Sequence, residues 1–128
     1  MRALKMDHVG IVVKDLAAAL ETYSRNFGFA ADSNRGGDVP AMGIKNAFMP
    51  VGDTNLEFVK PTTDEGPVAK FARERGEGLF WLSIAVDDVA AAVEHLRALG
   101  VRASDVADGV AYVSMKSSHG VHLQLIQR

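Results

Sequence analysis

The chain has 128 residues, with 14 Lys and Arg against 16 Asp and Glu, a formal net charge of −2, 48% hydrophobic and 23% charged residues. These values exclude disordered, collagenous and low-complexity classes, and the length suits one compact domain, 1–128. The near-balanced charge gives no basic face for nucleic acid, no apolar run reaches the roughly 18 residues of a membrane span, and MRALKMDHVG lacks the apolar stretch of a signal peptide. A cytoplasmic domain without nucleic-acid or membrane partners is the expectation. With no Cys in the chain, disulfides, thiolate ligands and Cys nucleophiles are ruled out.

Two segments repeat. DHVGIVVKDLAAALETYSRNFG and FWLSIAVDDVAAAVEHLRALG share Ile11/Ile84, Val13/Val86, Asp15/Asp88, Ala17/Ala90, Ala18/Ala91, Ala19/Ala92 and Glu21/Glu94 at an offset of 73. Two copies imply two equivalent modules rather than a solenoid. Each copy opens with an alternating strand. Val9, Ile11 and Val13 share one face in the first, and Leu82, Ile84 and Val86 in the second. An acidic N-cap follows, Asp15 or Asp88. A helix then carries an apolar stripe of Leu16, Leu20, Tyr23 and Phe27, or of Val89, Val93 and Leu96. Gly28 and Gly100 close the helices.

Three strands are expected after each helix, at about 29–33, 43–51 and 54–60 and at about 101–104, 110–115 and 120–127. VGDT at 51–54 signals a hairpin, and NRGGDVPA at 34–41 a Gly/Pro-rich loop. The resulting reading is an α+β fold of two βαβββ modules, about 5–61 and 79–128, joined by a linker helix at about 66–76. The sheets would curl into an incomplete barrel with the helices outside.

Strand parity then selects candidate cleft residues. If the aliphatic parity packs under the helices, the other parity lines the concave side. It carries His8, Gly10 and Val12; Asn55, Glu57 and Val59; Trp81, Ser83 and Ala85; and His122, Gln124 and Ile126. Each residue taken alone has a plainer reading, a satisfied imidazole or a solvated carboxylate; together on one face they form a candidate site. Outside it, His95, Asp64-Glu65 and Arg73-Glu74-Arg75 read as surface. Gly36-Gly37 lacks the context of a phosphate cradle, and no Ser sits in a nucleophile elbow.

The segments DHVGIVVKDL, NAFMPVGDTNLEFVKPT, GPVAKFARERGEGL, IAVDDVAAAVEHLRALGV and MKSSHGVHLQL run in order over nearly the whole chain. In them the chain resembles the vicinal oxygen chelate superfamily and, more narrowly, its methylmalonyl-CoA epimerase branch. The resemblance implies a divalent metal (Co, Ni, Mn or Zn) held by one ligand from each of four strands. His8 matches the first ligand and Glu57 the second. The third position, a His in the family, reads Trp81, and the fourth, a Glu, reads Gln124. The resemblance also implies two bases for epimerisation, and their positions read Ala41 and Gln124, neither of which is a base. Indole has a donor N–H and no ligating lone pair. The family scaffold is therefore expected without its standard metal-dependent chemistry, and with no cofactor as the first reading.

Three functions follow. The first is binding of a small organic anion or acyl-CoA by Trp81, His122 and Gln124, with Lys116, Ser117, Ser118 and His119 matching the family's segment near the carboxylate or thioester end of the substrate. KSSHG reads equally well as a polar turn. The second is altered catalysis, isomerase or lyase, with Glu57 as general base and His8 or His122 as acid. The third is a metal-dependent isomerase, epimerase or glyoxalase-type lyase using a rebuilt site of His8, Glu57, His122 and Gln124. His122 would have to reach that metal from about 6–7 Å further along its strand than Gln124. A homodimer is expected by resemblance.

Overall fold

Two helices related by the duplication begin at the acidic caps their sequences predict. In the computed structural model, which describes all residues Met1–Arg128, α1 (Leu16–Phe27) begins at Asp15, whose carboxylate accepts from the Ala18 N–H. α3 (Val89–Ala98) begins at Asp88, which accepts from the Ala91 N–H. Gly28 ends α1 in the left-handed conformation, its N–H donating to the Ser24 carbonyl. At the end of α3 the cap is Leu99, and Gly100 follows with φ +81°. No helix is long and apolar enough to cross a membrane.

The fold is α+β in the duplicated order. The first repeat contains β1 (Ala3–Val12), α1, β2 (Gly37–Val39), β3 (Ile44–Val51) and β4 (Thr54–Pro61). α2 (Pro67–Arg75) follows. The second contains β5 (Gly78–Val86), α3, β6 (Val110–Val113) and β7 (His122–Gln127). The chain divides into two compact units, one of Val9–Phe80 and one of Met1–His8 with Trp81–Arg128.

In the Val9–Phe80 unit the strand order is β2-β3-β4-β1. β3 and β4 pair antiparallel from Ile44↔Pro61 to Val51↔Thr54 around the VGDT turn. Val13, Met49 and Phe58 form the core, with Ile11, Leu16, Leu20 and Tyr23 packed on it. The aliphatic parity of β1 thus lies under α1, as period-2 alternation requires. α2 buries Val68 and Ala69, and Phe71 stacks on Phe80.

In the other unit the order is β1-β5-β7-β6. β5 and β7 run parallel, with Trp81 opposite His122 and Ser83 opposite Gln124. Val86, Val89, Ala92, Val93, Ala111, Val113 and Leu125 make its core beneath α3.

Two expected strands are corrected. Residues 29–33 form no strand; the Asp32 N–H donates to the Phe48 carbonyl at 2.8 Å, and the Asp32 carbonyl accepts from the Arg35 N–H at 3.4 Å. The Asp32 carboxylate accepts from the Asn34 N–H at 2.9 Å, a local Asx turn that draws the chain out of extension. The strand forms instead in the predicted loop, where Gly37–Val39 pairs with Ile44–Asn46. Gly36 permits this approach: its φ is +102°, and a Cβ there would lie 2.8 Å from the Asn46 carbonyl oxygen. Residues 101–104 form only the single bridge Ala103↔Val113. β6 stops at Val113, because Met115–Ser118 winds into a 3₁₀ turn that His119 closes at φ +55°.

Candidate functional site

The Val9–Phe80 unit contributes Glu57. β4 turns Leu56 and Phe58 to the core and Glu57 to the opposite face. The carboxylate is buried, and Oε2 accepts from the Asn46 side-chain amide at 2.9 Å. Asn46 lies on β3 opposite Val59, so the pair crosses the ladder diagonally. A buried carboxylate with a donor on one oxygen is an acceptor suited to proton transfer. Ala41, where the resemblance places a second base, sits in a 3₁₀ turn, Pro40–Met42.

The other unit holds His8, Trp81, His122, Gln124 and the KSSHG turn. Trp81 and His8 occupy the same position of the two repeats, and the fold brings them together. The indole Nε1 donates to His8 Nε2 at 3.3 Å, edge-on at 87° between ring planes. His8 Nδ1 lies 2.7 Å from Asp7 Oδ2. Because an indole can only donate, Nε2 is the acceptor and Nδ1 carries the proton. Asp7 is in turn gripped by the Arg128 fork, Nε to Oδ1 at 2.9 Å and Nη2 to Oδ2 at 3.0 Å. Arg128 chiefly holds the Asp7 carboxyl down to about 2, with burial opposing and His8 assisting. The result is a continuous chain Arg128–Asp7–His8–Trp81, whose last three members are each about 6% exposed.

Gln124 is engaged at both ends of its amide. Its Oε1 accepts from the Ser83 hydroxyl at 2.7 Å, and its Nε2 donates to the Tyr112 hydroxyl oxygen at 3.3 Å. Trp81, Ser83, Tyr112, His122 and Gln124 share the sheet face opposite the α3 core, as their parity predicts. His122 lies 5.9 Å from Tyr112, ring to ring, and burial pushes its imidazole below the ordinary value, so it is neutral at pH 7. Together with Arg102, Ser104, Ser114 and Met115, the two rings line an open depression of about 370 Å³. Lys116, Ser117, Ser118 and His119 lie on the adjoining 3₁₀ turn and its cap and do not line it.

These donors do not fit a four-ligand metal centre. A metal at the family's position would need the His8 Nε2 lone pair, which here meets an indole N–H. It would need the Gln124 oxygen, which here takes a hydroxyl proton. In neither unit do three His, Cys, Asp or Glu side chains converge as a metal would require.

Several participants escape the sequence reading. Asp7 and Arg128 are 121 residues apart, and their pairing has no local signal. Asn46 follows from the β3–β4 register, which VGDT sets. Arg102 and Ser104 were missed, and the signal that could have found them is parity: alternate residues of 101–104 face away from Val101 and Ala103 in the core.

A family model described as the Glyoxalase/Bleomycin resistance protein/Dioxygenase superfamily matches residues 5–117. The mitochondrial methylmalonyl-CoA epimerase of Dictyostelium discoideum is 28% identical, over 97% of this chain and 78% of that protein. The ethylmalonyl-CoA/methylmalonyl-CoA epimerase of Cereibacter sphaeroides is 29% identical, over 77% of this chain and 72% of its own length. The crystal structure of methylmalonyl-CoA epimerase from Mycobacterium tuberculosis superposes with a TM-score of 0.86 at 27% identity, covering 95% of this chain and 86% of that one. A methylmalonyl-CoA epimerase in complex with methylmalonyl-CoA and NH4+ superposes with 0.86 at 25% identity, covering 98% and 95%.

Proposed function

We propose that this chain, which belongs to the Glyoxalase/Bleomycin resistance protein/Dioxygenase superfamily, binds a small carboxylate or acyl-CoA thioester without the metal-dependent epimerase chemistry that the resemblance implies. The observation that carries this reading is the Trp81 indole N–H on His8 Nε2. It puts a donor where a ligand would stand and directs the imidazole lone pair to it. The epimerase names of the relatives, and the methylmalonyl-CoA bound to one structural neighbour, support the ligand class. Trp81 and Gln124 shape the floor of the ligand site and His122 its wall. The turn of Lys116, Ser117, Ser118 and His119 follows directly on Ser114 and Met115 and keeps its polar groups beside the anionic end. The working form is a cytoplasmic homodimer, which light scattering tests.

The deciding experiment uses tag-free protein. Elemental analysis and calorimetric titration with Co²⁺, Ni²⁺, Mn²⁺ and Zn²⁺ should show no stoichiometric site, while propionyl-CoA binds in the presence of a chelator. Stoichiometric metal that is lost in His8→Ala overturns the reading in favour of a metal-dependent isomerase, epimerase or glyoxalase-type lyase built on His8, Glu57, His122 and Gln124.

A second reading, an isomerase or lyase with altered chemistry, is favoured by Glu57, the one buried carboxylate of the Val9–Phe80 unit. Glu57 would serve there as general base. Glu57→Gln should abolish any such turnover, and full retention would remove the role.

A further inference from the structure

We infer that Arg102 makes the depression beside β6 a subsite for the free carboxylate of the ligand. The inference rests on the acyl-thioester reading above and names the group that selects among such ligands. Residues 101–104, β6 and β7 alternate strictly: Val101, Ala103, Ala111, Val113, Leu123 and Leu125 belong to the core beneath α3. The intervening positions lie on the other face. Ser104 N–H bonds to the Tyr112 carbonyl and Ser114 N–H to the Arg102 carbonyl, each at 2.9 Å, so this segment brings its side chains level with those of β6.

Arg102 is the one Lys or Arg lining the depression. Its neighbour Arg97 is taken by Asp105 at 2.9 Å, whereas the Arg102 guanidinium forms no ion pair. Around it the wall is neutral. His122 is uncharged, the Ser104 hydroxyl already bonds the Asp105 carbonyl, and Met115 is apolar. The Tyr112 hydroxyl oxygen accepts from Gln124, which leaves its own O–H to donate. A planar fork with a hydroxyl donor nearby, on a surface of two aromatic rings, matches a carboxylate attached to a small acyl group. The volume suits a ligand fragment of that size.

The test is calorimetry of wild type, Arg102→Ala and Arg102→Lys with three probes: methylmalonyl-CoA, propionyl-CoA and coenzyme A. Arg102→Ala should weaken methylmalonyl-CoA by about tenfold or more, as loss of a charge-assisted hydrogen bond implies, and leave propionyl-CoA, which lacks the free carboxylate, within about twofold. Arg102→Lys should fall between, because it keeps the charge and loses the fork. Unchanged methylmalonyl-CoA affinity in Arg102→Ala overturns the subsite alone. Equal losses for all three probes place Arg102 on the coenzyme phosphates and overturn the carboxylate assignment. A wild-type protein that binds neither thioester overturns the parent reading, and the subsite with it.

Discussion

Replacing Arg128 with Ala removes the fork from Asp7 while leaving a partly exposed position that tolerates a small side chain. In the folded chain Asp7 titrates at about 2, against an ordinary value of 3.8, and the Arg128 hydrogen bonds are the largest cause. At about 1.4 kcal/mol per pH unit, that displacement corresponds to about 2 kcal/mol of folding stability. A carboxyl depressed in the folded state stabilises above its unfolded value. The contribution is therefore complete above about pH 4 and drains away as the pH falls from 3.8 towards 2. Arg128→Ala should lose about 1–2 kcal/mol at pH 7, since part of the effect comes from His8 and the guanidinium is half solvated. Its stability should also change less than the wild type's between pH 4 and pH 3. Urea denaturation at pH 7, 4 and 3, followed by tryptophan fluorescence, reads both; Trp81 is the single Trp and lies at the end of the same chain of hydrogen bonds. Equal midpoints at pH 7 together with parallel losses in acid would refute the view that Arg128 anchors Asp7.

Trp81→Phe keeps an aromatic ring and deletes the N–H; withdrawing a donor from buried His8 Nε2 should cost about 1–3 kcal/mol, readable as a lower thermal midpoint. Phe58→Ala empties the centre of the Val9–Phe80 core, where Phe58 is fully buried, and should cost about 3–5 kcal/mol in urea titration. Gly36→Ala forces a side chain against the Asn46 carbonyl at a positive φ; a loss of about 1–3 kcal/mol and faster amide exchange in β2 are expected.

The sequence by itself determined the α+β fold with its duplicated order, both acidic N-caps, the VGDT hairpin and the split of each strand into core and polar faces. These are local or period-2 features, carried by residues a few positions apart. It also put His8, Trp81, Glu57 and Gln124 on polar parities, and a missing ligand type is visible in the residue names alone. What only the tertiary structure decided is how those groups are satisfied. The indole N–H meets His8 across 73 residues, Arg128 reaches Asp7 across 121, and Ser83 bonds Gln124 across 41. No periodicity encodes such distances, because they depend on which strands become neighbours and in what register. The same holds for the misplaced strand. Residues 29–33 are expected to extend because they follow the first helix of the module, but the Asx turn at Asp32 and the space Gly36 leaves beside Asn46 move the pairing to Gly37–Val39. A side chain's partner is a property of the packed chain, and at this site the partners decide whether an imidazole is a ligand or a hydrogen-bond acceptor.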